Sequence, residues 1–139
     1  MRTHPITILV IDEHKEDRAA LRQCLTEADS KVRIFEAASG ETALEWFQTT
    51  QPDCVVMELK LKDVVGMEVL GRIAAEMKRK PVPIFIWTRL GHTMLRTTAS
   101  SFGVSGYFEK HRGSEQALVA AIRAAMTDQQ NESQSMPPV

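Results

Sequence analysis

The chain has 139 residues, of which 43% are hydrophobic and 25% are charged, a balance that excludes an intrinsically disordered protein and fits one globular domain. Its formal net charge of −1 provides no field that would attract nucleic acid or an anionic membrane surface. No apolar run approaches the roughly 18 residues of a membrane span, and the short N-terminal apolar run ends in acid, unlike a secretory signal. We therefore expect a cytoplasmic protein in which Cys24 and Cys54 are reduced packing thiols.

Short apolar runs alternate with amphipathic stretches along the chain. A continuous apolar run such as residues 6–11 suits a strand buried on both faces, whereas the apolar spacing between Lys15 and Ala28 is typical of a helix. Ser39 is a suitable cap for the second helix, and Pro81 bounds the third. In chain order, the predicted elements are a strand over 6–11, a helix over 15–28, a strand over 32–37, a helix over 40–47, a strand over 54–58, a helix over 67–77, a strand over 84–88, a helix over 93–102, a strand over 105–109 and a helix over 117–126.

Five strand–helix pairs in strict alternation predict an α/β domain. Parallel strands need crossover helices, and right-handed crossovers place helices on both faces of the sheet. We therefore predict a doubly wound, five-stranded parallel sheet with the order 2-1-3-4-5, in a single domain over residues 1–126. The polar stretch 127–139, which ends with two prolines before the last valine, is predicted to be a disordered tail or a linker.

Residues that directly follow the strands are the candidates for chemistry, because ligands of such sheets bind outside the carboxyl ends of the strands. Since strands one, three, four and five are neighbours in the predicted order, their ends should meet at one rim of the sheet. The residues at these ends are Asp12 and Glu13, then Glu58, then Thr88 and Arg89, and finally Lys110.

This pattern resembles the receiver domain of two-component response regulators, over residues 6 to about 126. The resemblance is carried by the acidic pair Asp12 and Glu13, the segment PDCVVMELKLKDVVGMEVL, the hydroxyl residue Thr88, and GVSGYFEK, which ends at Lys110. It implies a flavodoxin-like fold and a regulatory role in phosphorelay signal transduction rather than an enzyme.

The resemblance also implies a metal and a phosphorylation position. Glu58 stands where such domains carry the aspartate that is phosphorylated. Asp12, Glu13 and Glu58, with the backbone carbonyl of Lys60, stand at the positions that hold a divalent metal. Mg²⁺ prefers such carboxylate ligands together with water, and it neutralises the moving charge during phosphoryl transfer.

Three further roles follow from the same resemblance. Thr88 and Lys110 would contact the phosphoryl oxygens, and Tyr107 would be the aromatic residue that switches rotamer. The partner is expected to be another signalling protein, which is a histidine kinase, a phosphotransfer protein or an effector. It would bind the face built from helix four, strand five and helix five, and a homodimer is a further option.

Glu58 is the departure from the family with the largest consequence. Its additional methylene moves the carboxylate by roughly 1.5 Å, and a misplacement of about 1 Å can cost on the order of a hundredfold in rate. The longer side chain also brings its charge towards the phosphoryl position, where Thr88 and Lys110 could bind it as a partial mimic. Because Glu13 is also longer than the usual aspartate, we expect Mg²⁺ to bind weakly or not at all.

Other departures surround Glu58. Arg89 replaces a small residue, Lys62 replaces a proline, and His111 follows Lys110 in place of a proline. We expect the Arg89 side chain to narrow the approach of a phosphodonor and its guanidinium to pair with Glu58 or Glu13. The alternative is that Arg89 faces solvent, as most arginines do.

Three functions remain open from the sequence. The first is a receiver-like module that works through protein contacts without phosphorylation. The second is a receiver that a histidine kinase phosphorylates on Glu58 or on a nearby carboxylate such as Asp63. The third is an unrelated enzyme or cofactor carrier on the same fold, which the sequence disfavours because it lacks a Gly-rich phosphate loop and a nucleophile elbow.

Overall fold

Five strands and five helices alternate along the part of the chain that the computed structural model describes, residues 4–77 and 81–134. Their bounds lie within a few residues of the predicted ones, except at the end of α5. The elements are β1 (Thr7–Ile11), α1 (Lys15–Ala28), β2 (Arg33–Ala37), α2 (Gly40–Thr50), β3 (Cys54–Met57), α3 (Gly66–Glu76), β4 (Ile84–Thr88), α4 (Thr93–Ser101), β5 (Gly106–Glu109) and α5 (Ser114–Gln134).

The strands form one parallel sheet with the order β2-β1-β3-β4-β5, which confirms the predicted topology. Successive residues of the central strands point to opposite faces, so the core consists of two clusters. On β1, Leu9 and Ile11 pack with the residues of α2, α3 and α4. Ile8 and Val10 pack with those of α1 and α5 on the other face. Burial on both faces explains why these strands are continuous apolar runs in the sequence.

Local signals fix the helix ends. The Ser39 hydroxyl accepts a hydrogen bond from the Thr42 amide and caps α2, as predicted. After α4, Gly103 has a φ of 80°, which a residue without a Cβ adopts at little cost.

Cys24 and Cys54 are free thiols, and burial is the main cause that raises the pKa of Cys54.

Helix α5 differs from the prediction, because it continues through Gln134 into the stretch predicted to be a tail or linker. Glutamine and glutamate extend a helix that is already nucleated, and no proline lies between Ser114 and residue 137. The remaining residues of that stretch, 135–139, lie outside the described residues. None of the described helices is both long and apolar enough to cross a membrane.

Candidate functional site

Backbone hydrogen bonds continue the parallel ladders beyond the strand ends and position the predicted site residues. The amide of Asp12 donates to the carbonyl of Ala37, and that of Glu58 donates to Ile11, at 2.9 and 2.8 Å. The amide of Lys110 donates to the carbonyl of Thr88 at 2.7 Å. These residues therefore lie on one rim of the sheet with their backbones fixed, which is the arrangement expected from the strand order.

Lys110 lies at the centre of the rim. Its Nζ atom donates to Asp12 Oδ2 at 2.6 Å, to Glu58 Oε1 at 3.0 Å and to Asp17 Oδ2 at 3.0 Å. The side chains of Lys110, Asp12 and Glu58 are only 4%, 2% and 3% exposed. The ammonium also lies 5.0 Å from the centroid of the Trp87 ring, which shields it from water. One buried cation thus serves three carboxylates.

The pKa values of Lys110 and Asp17 favour the charged form of this pair. Burial by itself lowers the pKa of Lys110, but its bonds to Asp12 and Asp17 and the charge of Glu58 outweigh burial and raise it above 10.5. Burial likewise raises the pKa of Asp17, yet Lys110 and Arg89 bring it below its ordinary value of 3.8. The Lys110–Asp17 pair is therefore ionised at neutral pH.

Both oxygens of Glu58 are engaged. Oε1 accepts from Lys110, while Oε2 accepts the backbone amides of Leu59 and Lys60 at 2.7 and 3.1 Å. The extra methylene lets the carboxylate fold back over the first two residues of the loop after β3. This geometry resembles the phosphoryl mimic predicted from sequence only at Lys110.

Thr88 does not take part in that mimic. It is fully buried, and its Oγ1 accepts the amide of Leu90 at 3.2 Å. Although both residues lie in the described part of the chain, no hydrogen bond joins Thr88 to Glu58. The prediction that Thr88 binds the Glu58 carboxylate is therefore wrong, because Thr88 instead caps the loop after β4.

Arg89 also differs from the prediction. Its guanidinium pairs with Asp17 at 3.0 and 3.4 Å rather than with Glu58 or Glu13, and its side chain remains 59% exposed. The hydrogen bonds and charge of Asp17 are the main causes that raise the Arg89 pKa. Arg89 thus lies at the outer edge of the network, where its exposure agrees with the solvent-facing alternative, while its pairing with Asp17 was not predicted.

Tyr107 lies on β5 beside the same loop. Its hydroxyl donates to the carbonyl of Leu90, and the guanidinium of Arg96 lies 4.9 Å from the ring centroid. Burial is the main cause that raises the Tyr107 pKa. Tyr107 and Thr88 therefore hold Leu90 from both sides, through its carbonyl and its amide. The switch role of Tyr107 stays a prediction.

The acidic rim has side-chain atoms that could serve as ligands of a cation. Ligand atoms of Asp12, His14 and Glu58 all lie within 4.8 Å of one another. Within the described residues, Glu13 Oε2 is the buried side-chain atom that accepts no hydrogen bond, which leaves a free oxygen ligand on the residue next to Asp12. Carboxylate oxygens suit Mg²⁺, so these residue types fit a hard cation. Lys110, however, already contacts Asp12 and Glu58, and a metal must compete with its ammonium.

Asp17 and His14 are site residues that are absent from the sequence-based prediction of the site. Asp17 lies in the first turn of α1, directly after the acidic pair, and binds both Lys110 and Arg89. The His14 ring and amide both contact Asp12 Oδ1, at 3.0 and 2.9 Å. The short distance along the chain from Asp12 was the available signal, since a helix that begins there returns its first turn to the rim.

Asp63 does not lie among the partners of Lys110. Its carboxylate accepts the amides of Gly40 and Glu41 at 2.9 and 3.1 Å, at the start of α2. These backbone bonds lower the pKa of Asp63. Asp63 therefore acts as a cap between α2 and α3, which argues against it as an acceptor of phosphate.

Comparison with known proteins identifies the family. Residues 8–123 match the model of the response regulator receiver domain. Response regulator UvrY of Escherichia coli is 29% identical over 124 residues, which are 89% of this chain and 56% of that protein. The chain thus spans about half the length of this relative.

Solved structures give the same result for the fold. A two-component response regulator of the LuxR family from Aurantimonas sp. superposes with a TM-score of 0.76 at 29% identity, over 89% of this chain and 86% of that one. A CheY-like receiver domain protein from Methanospirillum hungatei superposes with a TM-score of 0.81 over 92% of this chain and 98% of that one, and at 19% identity it supports the fold alone.

Proposed function

The chain belongs to the response regulator receiver domain family, and we propose that it is a regulatory module of two-component or phosphorelay signalling that works without phosphorylation, through protein contacts. The observation that carries this proposal is the Lys110 network. A buried ammonium holds Asp12 and Glu58, and both oxygens of Glu58 are engaged. The acceptor position is thus filled by a carboxylate whose charge is already neutralised.

In this proposal the chain acts in the cytoplasm, binds a protein partner and has no catalytic activity of its own. The partner would be a histidine kinase, a phosphotransfer protein or an effector. The expected contact face is that of α4, β5 and α5. Leu90 lies in the loop that leads into α4, and Thr88 and Tyr107 hold it there through hydrogen bonds. A homodimer on this face remains part of the proposal. The net charge of −1 argues against nucleic acid as the ligand of this domain.

The test of the proposed function is incubation with acetyl phosphate and Mg²⁺, followed by intact-mass measurement. The parent chain is expected to gain no stable phosphoryl group, because nucleophilic attack by Glu58 requires the loss of its bonds to Lys110, Leu59 and Lys60. The matched control is Glu58→Asp, which shortens the side chain by one methylene and is expected to gain one phosphoryl group. A phosphorylated parent chain would support the alternative of a working phosphoacceptor, and peptide mapping would identify Glu58 or Asp63.

Magnesium binding is expected to be weak, because a divalent ion must displace the Lys110 ammonium from Asp12 and Glu58. When bound, Mg²⁺ would neutralise the carboxylates and polarise phosphoryl oxygens. Titration calorimetry should show no submillimolar affinity for the parent chain. The Lys110→Met variant should bind Mg²⁺ more tightly, since it leaves the carboxylates without a cation. A parent chain with submillimolar affinity would contradict the proposed competition.

A further inference from the structure

The loop after β3 and the N-terminal part of α4 enclose an open cavity of about 450 Å³, which we call the α3–α4 groove. Leu59 forms part of its lining and belongs to the core, while Val65, Leu90 and Leu95 also line it. Val65 is 67% exposed, and Met94, which directly precedes Leu95 on α4, is 71% exposed. Val65 and Leu90 are exposed lining residues, and Met94 neighbours the lining residue Leu95 in sequence. Exposed apolar side chains grouped in this way are typical of an interaction site.

The rim of the groove is basic. Lys60 and Lys62 are exposed, and neither is in an ion pair with another residue of the described chain. Asp63, the acidic residue of the lining, binds the amides of Gly40 and Glu41 at the start of α2. Lys60 and Lys62, beside the apolar lining of the α3–α4 groove, are complementary to a helix whose apolar stripe is flanked by carboxylates.

Glu58 fixes the loop after β3, which forms one side of this groove. Its Oε2 accepts the amides of Leu59 and Lys60, the first residues of the loop. The loop then closes on itself, because Lys60 forms an antiparallel bridge with Val65 and the Gly66 amide donates to the Leu59 carbonyl at 3.0 Å. The side chain at the phosphorylation position therefore fixes the backbone that carries Lys60 and Val65.

We propose that the α3–α4 groove binds an acidic amphipathic helix of a partner protein, and that Glu58 is the positioning residue that keeps the groove formed without a phosphoryl group. The inference deepens the proposed function, since it specifies the chemistry of the partner and what Glu58 does for it. The groove shares α4 with the face expected from the family, but its other wall, the loop after β3, lies outside that face.

Binding is tested with a labelled amphipathic helical peptide of leucine and glutamate, with fluorescence anisotropy as the measurement and no phosphodonor present. A peptide of the same pattern with lysine in place of glutamate is the control. We expect the acidic peptide alone to bind, and more weakly at high salt, because the Lys60 and Lys62 charges are exposed to screening. Chemical-shift changes should map to the groove. Equal binding of both peptides, shifts on another face, or no binding would overturn the proposal.

Substitutions locate the site. Val65→Glu and Met94→Glu should each weaken binding about tenfold, because each removes an apolar contact and adds a charge that repels the peptide. Ala19→Glu, at an exposed position of α1, adds the same charge elsewhere and should leave binding unchanged. Because Val65 and Met94 are exposed, circular dichroism should show folded variants. Unchanged binding in both groove variants would contradict the site, and sedimentation would reveal whether a second copy occupies it.

Variants at Glu58 separate loop positioning from phosphoryl mimicry. Glu58→Gln keeps a carbonyl oxygen for the Leu59 and Lys60 amides, so it should retain peptide binding and slow amide exchange at these two residues. Glu58→Ala removes that acceptor and should lose both while remaining folded. Under mimicry, Glu58→Gln should lose binding together with the charge, which would contradict the positioning role. A parent chain that acetyl phosphate modifies would overturn the proposed function while leaving this peptide measurement interpretable.

Discussion

Lys110→Met is expected to lower the free energy of unfolding by about 3–5 kcal/mol at pH 7, because removal of one partner of a buried ion pair leaves its counterions uncompensated. Asp12 and Glu58 are 2% and 3% exposed, and both would lose the ammonium that now lies 2.6 and 3.0 Å from their carboxylate oxygens. Methionine is one atom shorter than lysine but keeps an unbranched, flexible side chain that can pack beside Trp87, so the loss reports mainly on charge rather than on a cavity. Urea denaturation of both proteins measures the difference.

The pH dependence of this difference identifies the groups involved. The pKa of Lys110 is raised above 10.5, so its contribution is complete below that pH and is lost as the pH rises through the folded-state pKa. The pKa of Asp17 is lowered from 3.8, so its contribution is present above 3.8 and is lost as the pH falls through the folded-state pKa. The difference between parent and variant should therefore be largest between these limits and narrow on both sides.

The control for Lys110→Met is Lys15→Met, which replaces an exposed lysine at the start of α1. Substitution of an exposed charge is expected to change stability by less than about 0.5 kcal/mol. If Lys110→Met were as stable as Lys15→Met at pH 7, the buried ammonium would not be what holds the rim together, and the proposal that it neutralises the carboxylates and competes with Mg²⁺ would lose its basis.

The topology could be predicted because both faces of the sheet leave a signal in the sequence. The run of residues 8–11 is apolar throughout, because its side chains pack on α1 and α5 on one face and on α2, α3 and α4 on the other. Strict alternation with helices then leaves few allowed topologies. The end of α5 was not predictable in this way, because the sequence after residue 126 is polar and carries no apolar periodicity from which a boundary could be inferred.

Placement of the site residues at one rim followed from topology, but their pairing did not. Strand ends bring Asp12, Glu58 and Lys110 together whatever their rotamers are. The carboxylate with which Arg89 pairs is Asp17, in the first turn of α1. Asp17 lies 72 positions from Arg89 in sequence, and strand order does not determine its position. Competition between nearby carboxylates is decided by distances of about 1 Å, which strand order does not determine.

The fate of the extra methylene in Glu58 was equally open from sequence. A longer side chain can extend towards the phosphoryl position or fold back on its own backbone. The structure has the folded-back form, since two amides of the following loop are donors to Oε2. Charge-assisted bonds to backbone amides need no movement of Thr88, whose hydroxyl already accepts the Leu90 amide. The local donors therefore explain why this carboxylate orders a loop.

Gly66→Ala is expected to lower the free energy of unfolding by about 2–3 kcal/mol, towards the upper end of the range for overpacked sites. A Cβ atom at Gly66 would lie 2.3 Å from the Leu59 carbonyl oxygen and 2.6 Å from two further Leu59 backbone atoms. No rotamer relieves a clash with backbone, so the loop must shift and the Gly66 bond to Leu59 must lengthen. The same shift should speed amide exchange at Leu59 and Lys60, which Glu58 protects.

Gly71→Ala is the matched control, because it makes the same chemical change within α3. There the new Cβ would meet only the Phe102 ring, at 3.3 Å, and Phe102 is partly exposed and can rotate. Alanine is about 1 kcal/mol more favourable than glycine inside a helix, so Gly71→Ala should be neutral or stabilising. The two substitutions are thus expected to differ in sign. A Gly66→Ala protein as stable as Gly71→Ala would show that the loop after β3 has room to move, and a loop with that freedom could not be held in one conformation by the Glu58 carboxylate.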